Sequence, residues 1–361
     1  MKGIDYLNSL AKWDNKSSFG LDSIKKVLSQ LHNPQNIPKS IHVGGTNGKG
    51  TTSVAIASIL GSAGFSVGLN TSPHLIRINE RFIINGREAS DQQISDAALI
   101  LMKEVNESGV HLSYHEAITA TAFIMFKGLD WIVIEVGLGG RLDASNVLGS
   151  PEVVIITSIS MDHELILGDS ISKIAREKAG IIKDIHNVVI GELPEDAILE
   201  IQAVASSNSK TLVYQFGHNF NYQRENQGIQ FYSPIKTIRL KDYNYKGHTK
   251  TINDCMAIEA SLLIGLEERY IQQGICGYYW PGRYEVIVFR NKKFIIDAAH
   301  NPASIDALVE YIKLHYPNKN DFNIIFAALH TKDWKYFVDQ LKGYVRNWQI
   351  VLADSTVGVH P

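Results

Sequence analysis

The residues best suited to chemistry fall in four stretches, each directly after an apolar run. The first, IHVGGTNGKGTT (residues 41–52), sets four glycines, Lys49 and two threonines behind a short strand-like segment. A glycine-rich turn between strand and helix directs main-chain N–H groups and the positive helix end toward an anion. Lys49 then reaches the outer phosphates of a nucleotide, and Thr51 or Thr52 offers a hydroxyl to Mg²⁺. Thr46, Asn47, Gly48, Lys49, Gly50, Thr51 and Thr52 are therefore the nucleotide-contact candidates. Gly50 separates Lys49 from Thr51, so the strict G-x-x-x-x-G-K-[ST] pattern is not met. A plain tight turn with a solvated lysine is the alternative; a strand before the loop and a helix after it weigh against that.

The second stretch is EVGLGGRLDASN (residues 135–146). Glu135 ends an apolar run, where an unpaired carboxylate is expensive to bury, and a carboxylate at a strand end is well placed for Mg²⁺. A salt bridge to Arg141 is the competing reading. The third is SMDHELILG, with Asp162 and His163 past another apolar run. His163 becomes a metal-ligand candidate only if it shares a rim with Glu135 and Thr51. Lys178, in REKAGIIK, reads by spacing alone as part of a solvated helix face. The fourth is IIDAAHNPAS, which sets Asp297, His300 and Asn301 at a strand end, with Pro302 opening the next helix. Simple capping by Asp and Asn remains an alternative there.

These groups need a scaffold that presents several strand ends on one edge. WIVIEV (131–136) and VVIITSI (153–159) are near-continuous apolar runs, as in strands covered on both faces of a parallel α/β sheet. Residues 41–44 and 66–72 read as further strands, and 51–63, 119–127 and 253–266 as helices. DSISKIAREKAGII reads as an amphipathic helix capped by Asp169 or Ser170. WPGR (280–283) breaks the pattern, after which EVIVFRNKKFIIDAA reads as a hairpin. SIDALVEYIKLHY then reads as a helix, FNIIFAA as a strand, DWKYFVDQLKGYV as a helix and WQIVLAD as a strand. The 361 residues imply two domains, taken as 1–280 and 284–361, the second small and cut short at its C-terminus.

A formal net charge of −2 offers neither a basic face for nucleic acid nor a polybasic membrane patch. Cys255 and Cys276 are the only cysteines, outside any C-x-x-C cluster, as suits a reducing cytosol. No apolar run reaches membrane-spanning length and the N-terminus lacks a signal-peptide core, so a cytoplasmic protein is expected, acting as a monomer.

HVGGTNGKGTT, TSPHLIRINERF, EVGLGGRLDASN, MDHELILG, REKAGIIK, WPGRYEV and DAAHNP occur in this order. Together they resemble the folylpolyglutamate synthase and dihydrofolate synthase family of the Mur ligase superfamily, over about residues 40–335. That family's phosphate loop has the form G-T-N-G-K-G-[ST], so Gly50 is its own variant. The resemblance implies an α/β fold: a central P-loop domain with a mostly parallel sheet, and a smaller Rossmann-like C-terminal α/β domain. It also implies ligation of L-glutamate to dihydropteroate or a folate through an acyl phosphate, with ATP and two Mg²⁺ ions, in folate biosynthesis and one-carbon metabolism. Small molecules are then the partners.

Carried over by motif, Thr51, Glu135, His163 and Lys178 are the magnesium ligands, Lys178 as a carbamate. Lys49, His163 and Lys178 are the catalytic set, and Arg283, Asp297, His300 and Asn253 contact ATP. Thr71, Ser72, Pro73 and His74 line the acceptor pocket. AALHTKD (327–333) resembles bacterial members that perform both reactions. The chain departs from the family at GHTKTIN (247–253), a shifted version of the usual histidine–glutamine pair, and at His115, where an aromatic residue is more usual. Family members continue several tens of residues past the equivalent of Pro361. Two other readings stand beside this one. Another Mur-type ligase would carry an extra N-terminal domain, and a non-catalytic nucleotide binder would release no ADP in response to glutamate.

Overall fold

The computed structural model describes residues 3–10, 20–183, 187–318, 322–329 and 332–351. His330 and Thr331 of the AALHTKD stretch lie outside them. The chain divides into two compact units, 1–244 with 252–279, and 245–251 with 280–361.

In the first unit an eight-stranded sheet is built from β1 (Lys39–Gly44), β2 (Val67–Asn70), β3 (Phe82–Ile84), β4 (Arg87–Glu88), β5 (Trp131–Glu135), β6 (Val153–Ile156), β7 (Asn187–Ile190) and β8 (Leu212–Gln215). Its order is β4-β3-β2-β5-β1-β6-β7-β8. The strands from β2 to β8 in that order are parallel, while β3 and β4 add an antiparallel edge. WIVIE and VVII are buried along their whole length, because helices cover both faces of the sheet. One core gathers Ile132 and Ile134 with Leu28, Ile94, Phe123 and Phe126; another gathers Val154, Ile156, Val188 and Ile190 with Ile174 and Ile201.

The covering helices are α1 (Gly3–Ser9), α2 (Asp22–Gln30), α3 (Lys49–Ser62), α4 (Asp91–Ser108), α5 (Tyr114–Phe126), α6 (Glu164–Leu167), α7 (Ile171–Ala179), α8 (Glu195–Ala205), α9 (His248–Leu263) and α10 (Glu268–Gly277). Of the two caps considered for α7, the structure uses Ser170, whose hydroxyl accepts the Lys173 N–H at 3.3 Å. The helix read at 119–127 starts earlier, at Tyr114. Ser113 and Glu116 form a reciprocal capping box there, so YHEAIT is the first helical turn. The helix read at 253–266 likewise begins at His248 and ends at Leu263. A small antiparallel sheet, β9 (Asn221–Arg224), β10 (Ile229–Tyr232) and β11 (Ile238–Leu240), completes the unit.

The second unit holds a hairpin, β12 (Glu285–Phe289) and β13 (Lys292–Ile296), then α11 (Pro302–His315), β14 (Phe322–Phe326), α12 (Trp334–Leu341) and β15 (Val345–Ile350). Arg290 and Asn291 both adopt left-handed φ, as a two-residue hairpin turn requires. β14 and β15 are parallel. The helix read through Val345 stops at Leu341, where a turn from Leu341 to Tyr344 releases the chain into β15 ahead of the WQIVLAD segment. No helix among the described residues is long and apolar enough to cross a membrane.

One core group stands apart. Glu259 on α9 is fully buried, and neither carboxylate oxygen has a hydrogen-bond partner among the described residues. Burial pushes its carboxyl up to about 7, and the nearby Ser233 hydroxyl offsets only part of this. A raised folded pKa means the protonated form belongs to the native state. Its contribution is intact below the ordinary value of 4.5 and is lost as pH rises through about 7. Glu259→Gln should therefore leave stability near pH 4.5 unchanged and raise it at pH 8 by on the order of 1–3 kcal/mol in urea unfolding.

Candidate functional site

Parallel register gathers the chemistry on one edge. Val43 on β1 stands opposite Glu135 on β5, Gly44 opposite Ile156 on β6, and Asn70 on β2 opposite Ile134. The segments that follow these strands, 45–52, 71–77, 136–146 and 157–163, therefore leave the same carboxyl-end rim. There the connections from β1 run one way to β2, and those from β5 run the other way to β6, the usual place for a ligand crevice in such sheets.

The glycine loop is held from the β6 side. Thr46 N–H donates to the Ser158 carbonyl at 2.7 Å and Asn47 N–H to the Ser158 hydroxyl at 2.9 Å. The Thr157 hydroxyl lies 2.7 Å from the Asn47 carbonyl and 3.1 Å from that of Gly44. Gly48, at φ +86°, passes so close to Asn253 that an added Cβ would sit 2.3 Å from its Oδ1. That packing sets Asn253, buried on α9, directly against the phosphate-type loop, and its carbonyl lies 3.4 Å from the Thr52 hydroxyl. α3 begins at Lys49, and no side chain caps it. Gly50, Thr51 and Thr52 thus lie in a first turn whose outer N–H groups face the rim.

Two lysines converge on this loop. Lys49 Nζ donates to the carbonyls of Gly45 at 3.2 Å and Thr46 at 3.0 Å, and Lys178 Nζ donates to Gly45 at 2.8 Å. The solvated-face reading of Lys178 is overturned: it is buried, 4% exposed, because α7 turns its apolar side and this lysine inward. Burial first, and then the Lys49 charge, lower its amine to about 7 against the pull of Asp162 and Asp143. Asp162 and His163 follow on the same rim. His163 is exposed, has left-handed φ, and lies 3.9 Å from Asp162 through Nε2.

Glu135 is buried and does not pair with Arg141, which instead bonds Glu177 at 2.9 Å. One Glu135 oxygen accepts the Ser72 N–H at 3.0 Å, bringing the 71–74 stretch to the carboxylate. The Ser72–Pro73 peptide is cis, and His74 Nδ1 accepts from Arg81 Nε at 2.8 Å. Beside it lies a chain of polar groups: His42 Nε2 with the Ser145 hydroxyl at 2.8 Å, that hydroxyl donating to Asp143 Oδ1 at 2.5 Å, and Asp143 Oδ2 with His115 Nε2 at 3.1 Å. With the serine proton committed to Asp143, His42 must donate through Nε2, and its buried Nδ1 has no hydrogen-bond partner among the described residues. Burial drives His42 down to about 3, so it is neutral.

In the second unit, Asp297 accepts the N–H groups of Tyr284 and Ala299, both at 2.9 Å. Burial raises its carboxyl despite those bonds and the nearby charges of Arg283 and His300. Asn301 caps α11 through the Ser304 N–H, so the capping reading holds for Asn301 while Asp297 keeps the company of Arg283 and His300.

Thr51 and Glu135 are oxygen donors on one rim, the kind of sparse protein set that suits Mg²⁺ when phosphate oxygens complete its shell. Among the described residues no group of three or more His, Cys, Asp or Glu forms a self-sufficient metal cage. The donor chemistry therefore fits a cation that arrives with a nucleotide.

Known proteins resemble this chain over most of its length. The Mur ligase middle domain family matches residues 43–257. The dihydrofolate synthase/folylpolyglutamate synthase of Bacillus subtilis is 32% identical over 343 residues, covering 90% of this chain and 78% of that protein. The chain belongs to the folylpolyglutamate synthase and dihydrofolate synthase family of Mur ligases. Escherichia coli FolC in complex with DHPP and ADP superimposes with a TM-score of 0.89 at 31% identity, covering 99% of this chain and 85% of that one. An FPGS complex with AMPPCP and folate gives 0.87 at 29% identity, covering 98% and 89%.

Within this Mur ligase, several residues near the rim escape a motif-based reading. Thr157 and Ser158 look like ordinary strand-end residues, and Asp143 looks like a turn residue. Only the tertiary pairing shows them holding the glycine loop and His115. Glu80, inside INERF, carries no motif signal of its own. Thr157→Val keeps the shape and deletes the hydroxyl that meets two loop carbonyls. It should lower stability by about 0.5–1.5 kcal/mol in denaturant unfolding: the hydroxyl's bonds are lost, while the Thr157 N–H still reaches the Gly44 carbonyl and the Ser158 hydroxyl that of Asn47.

Proposed function

We propose that this protein joins L-glutamate to the carboxylate of dihydropteroate or of a folate, converting ATP to ADP and phosphate. The observation that carries this reading is the junction of an uncapped helix start, two lysines on the Gly45 carbonyl, and the buried Glu135 on one sheet rim. An oxygen of the acceptor carboxylate attacks the γ-phosphorus, ADP leaves, and an acyl phosphate forms. The glutamate amine then attacks the acyl carbon, loses a proton, and phosphate departs with the former carboxylate oxygen. Both steps crowd anions together, so positioned positive charge is the main catalytic requirement.

Lys49 and the main-chain N–H groups of residues 48–51 would hold the triphosphate and neutralise charge that develops on the transferred phosphoryl group. Thr51 and Glu135 would hold the first magnesium ion, with Lys178 as its carbamate and His163 for a second. Magnesium, when bound, screens the acceptor carboxylate from the γ-phosphate. Lys178 suits carbamate formation because only a neutral amine adds CO₂, with release of a proton, and burial beside Lys49 lowers it to about 7. Residues 71–74 would face the acceptor through their link to Glu135. Cys255 and Cys276 stand outside any disulfide among the described residues, which fits a reducing cytoplasm.

Phosphate release should require ATP, Mg²⁺, L-glutamate and an acceptor together; a comparison of dihydropteroate with tetrahydrofolate shows which acceptors are used. Release that ignores glutamate would overturn the ligase reading. Lys49→Ala should lower turnover by at least about 10³-fold with an unchanged circular dichroism spectrum. Lys178→Ala should do nearly the same, and short carboxylic acids should restore part of the rate if a carbamate is the ligand. Wild-type turnover in Lys178→Ala would exclude that role.

A further inference from the structure

One carboxylate near the rim holds more main chain than any motif accounts for. Glu80 Oε2 accepts the N–H of Leu75 at 2.6 Å, and Oε1 accepts those of Ile76 at 2.7 Å and Arg77 at 2.8 Å. Three consecutive amides on one ionised group are charge-assisted bonds, the strong kind. Burial alone would raise this carboxyl, yet the three amides win and hold it below its ordinary value.

The post is itself anchored. Glu80 lies in a short 3-10 turn, Ile78–Arg81, whose Ile78 is buried in the core. Asn79 of the same turn donates to the Ala89 carbonyl at 2.9 Å and to Asp91 at 2.7 Å. The other end of the 71–77 loop returns to this turn. Thr71 N–H donates to the Arg81 carbonyl and the Thr71 hydroxyl to the Glu80 carbonyl, both at 3.2 Å. Between these two fixed ends sits Ser72, whose N–H reaches Glu135. Leu75 and Ile76 are exposed, 52% and 89%, so side-chain burial does not hold the loop. Glu80 holds its three successive amides at 75–77, while His74 accepts from Arg81 and Arg77 pairs with Glu88 at 2.6 Å.

We propose that Glu80 is a positioning residue of the ligation site: it braces the 71–77 loop so that the Ser72 amide orients the Glu135 carboxylate for Mg²⁺. The inference rests on the ligase reading for its purpose, but its geometry is independent of substrate. Removing the brace frees the amides of residues 75–77 and loosens the hold of the Ser72 amide on Glu135. The triphosphate cradle, held from β6, is untouched by this change.

The test compares wild type, Glu80→Gln and Glu80→Ala. It reads amide hydrogen exchange, Mg²⁺ affinity of protein saturated with AMPPCP, and AMPPCP affinity without Mg²⁺. In Glu80→Ala the amides of 75–77 should exchange at least about tenfold faster and Mg²⁺ affinity should fall about tenfold. Magnesium-free AMPPCP affinity should stay within about twofold, because the cradle is intact. Glu80→Gln retains one acceptor oxygen and should fall between, which keeps the test decisive if the alanine variant folds poorly. Unchanged protection at 75–77 would overturn the proposal, as would freed amides with wild-type Mg²⁺ affinity. Loss of protection across β1 and β5 would make Glu80 a fold-stabilising residue and overturn it too. Failure of glutamate-dependent phosphate release in wild type would sink the ligase reading, while the exchange and Mg²⁺ arms still judge Glu80.

Discussion

The site depends on one electrostatic constraint: negative groups must meet at a sheet edge, and only fixed positive charge and main-chain dipoles can hold them there. Helices α4, α5 and α7 close their own first turns with Ser90, Ser113 and Ser170. α3 begins without such a cap, behind a loop whose carbonyls already carry two lysines. A helix start left open in this way is a standing dipole aimed at the rim. The β6 segment supplies rigidity, since Thr157 and Ser158 secure the loop through hydroxyls that no α3 residue needs. A floppy loop would lose entropy on every encounter with a nucleotide; this one is already shaped.

The parallel sheet and the phosphate loop were legible in the sequence because each has a local physical signature. WIVIEV and VVIITSI are apolar on both faces, which only a covered strand tolerates. GGTNGKGTT combines positive-φ glycines with a lysine directly behind a strand. The ordered motifs then carried the family. Boundaries were read less well where a cap or turn decides them. Ser113 and Glu116 extend α5 by five residues toward its N-terminus, and the turn after Leu341 moves β15 forward. The helices α1, α2, α4, α8 and α10 and the β9–β11 sheet carry no comparable local signal, since their patterning is ordinary and their positions follow from packing.

What spacing could not reveal was burial and pairing across long stretches of chain. Lys178 occupies a charged run, R-E-K, in which any lysine looks solvated. It is buried because α7 lies against the carbonyl of Gly45, 133 residues away in the chain. Glu135 and Arg141 are near neighbours in sequence and an obvious ion pair. Yet Glu177 takes the arginine, and the carboxylate is left facing Ser72. His115, the departure from the family's aromatic, is explained only by Asp143, which Leu138 N–H and Ser145 hold in place.

These exceptions share a cause. A fold selected for stability alone would not bury Glu135, Lys178, Asp143 and a neutral His42 within one rim, because each loses hydration that its partners only partly replace. The molecule tolerates them because the surrounding sheet is buried on both faces and deeply apolar, so its cohesion exceeds what the site takes away. Low local dielectric then works for the chemistry: a charge fixed among apolar strands acts on a phosphate more strongly than the same charge in water. The polar groups that most weaken this domain as a folded object include Glu135 and Lys178, to which the proposed reaction gives the task of bringing two anions together.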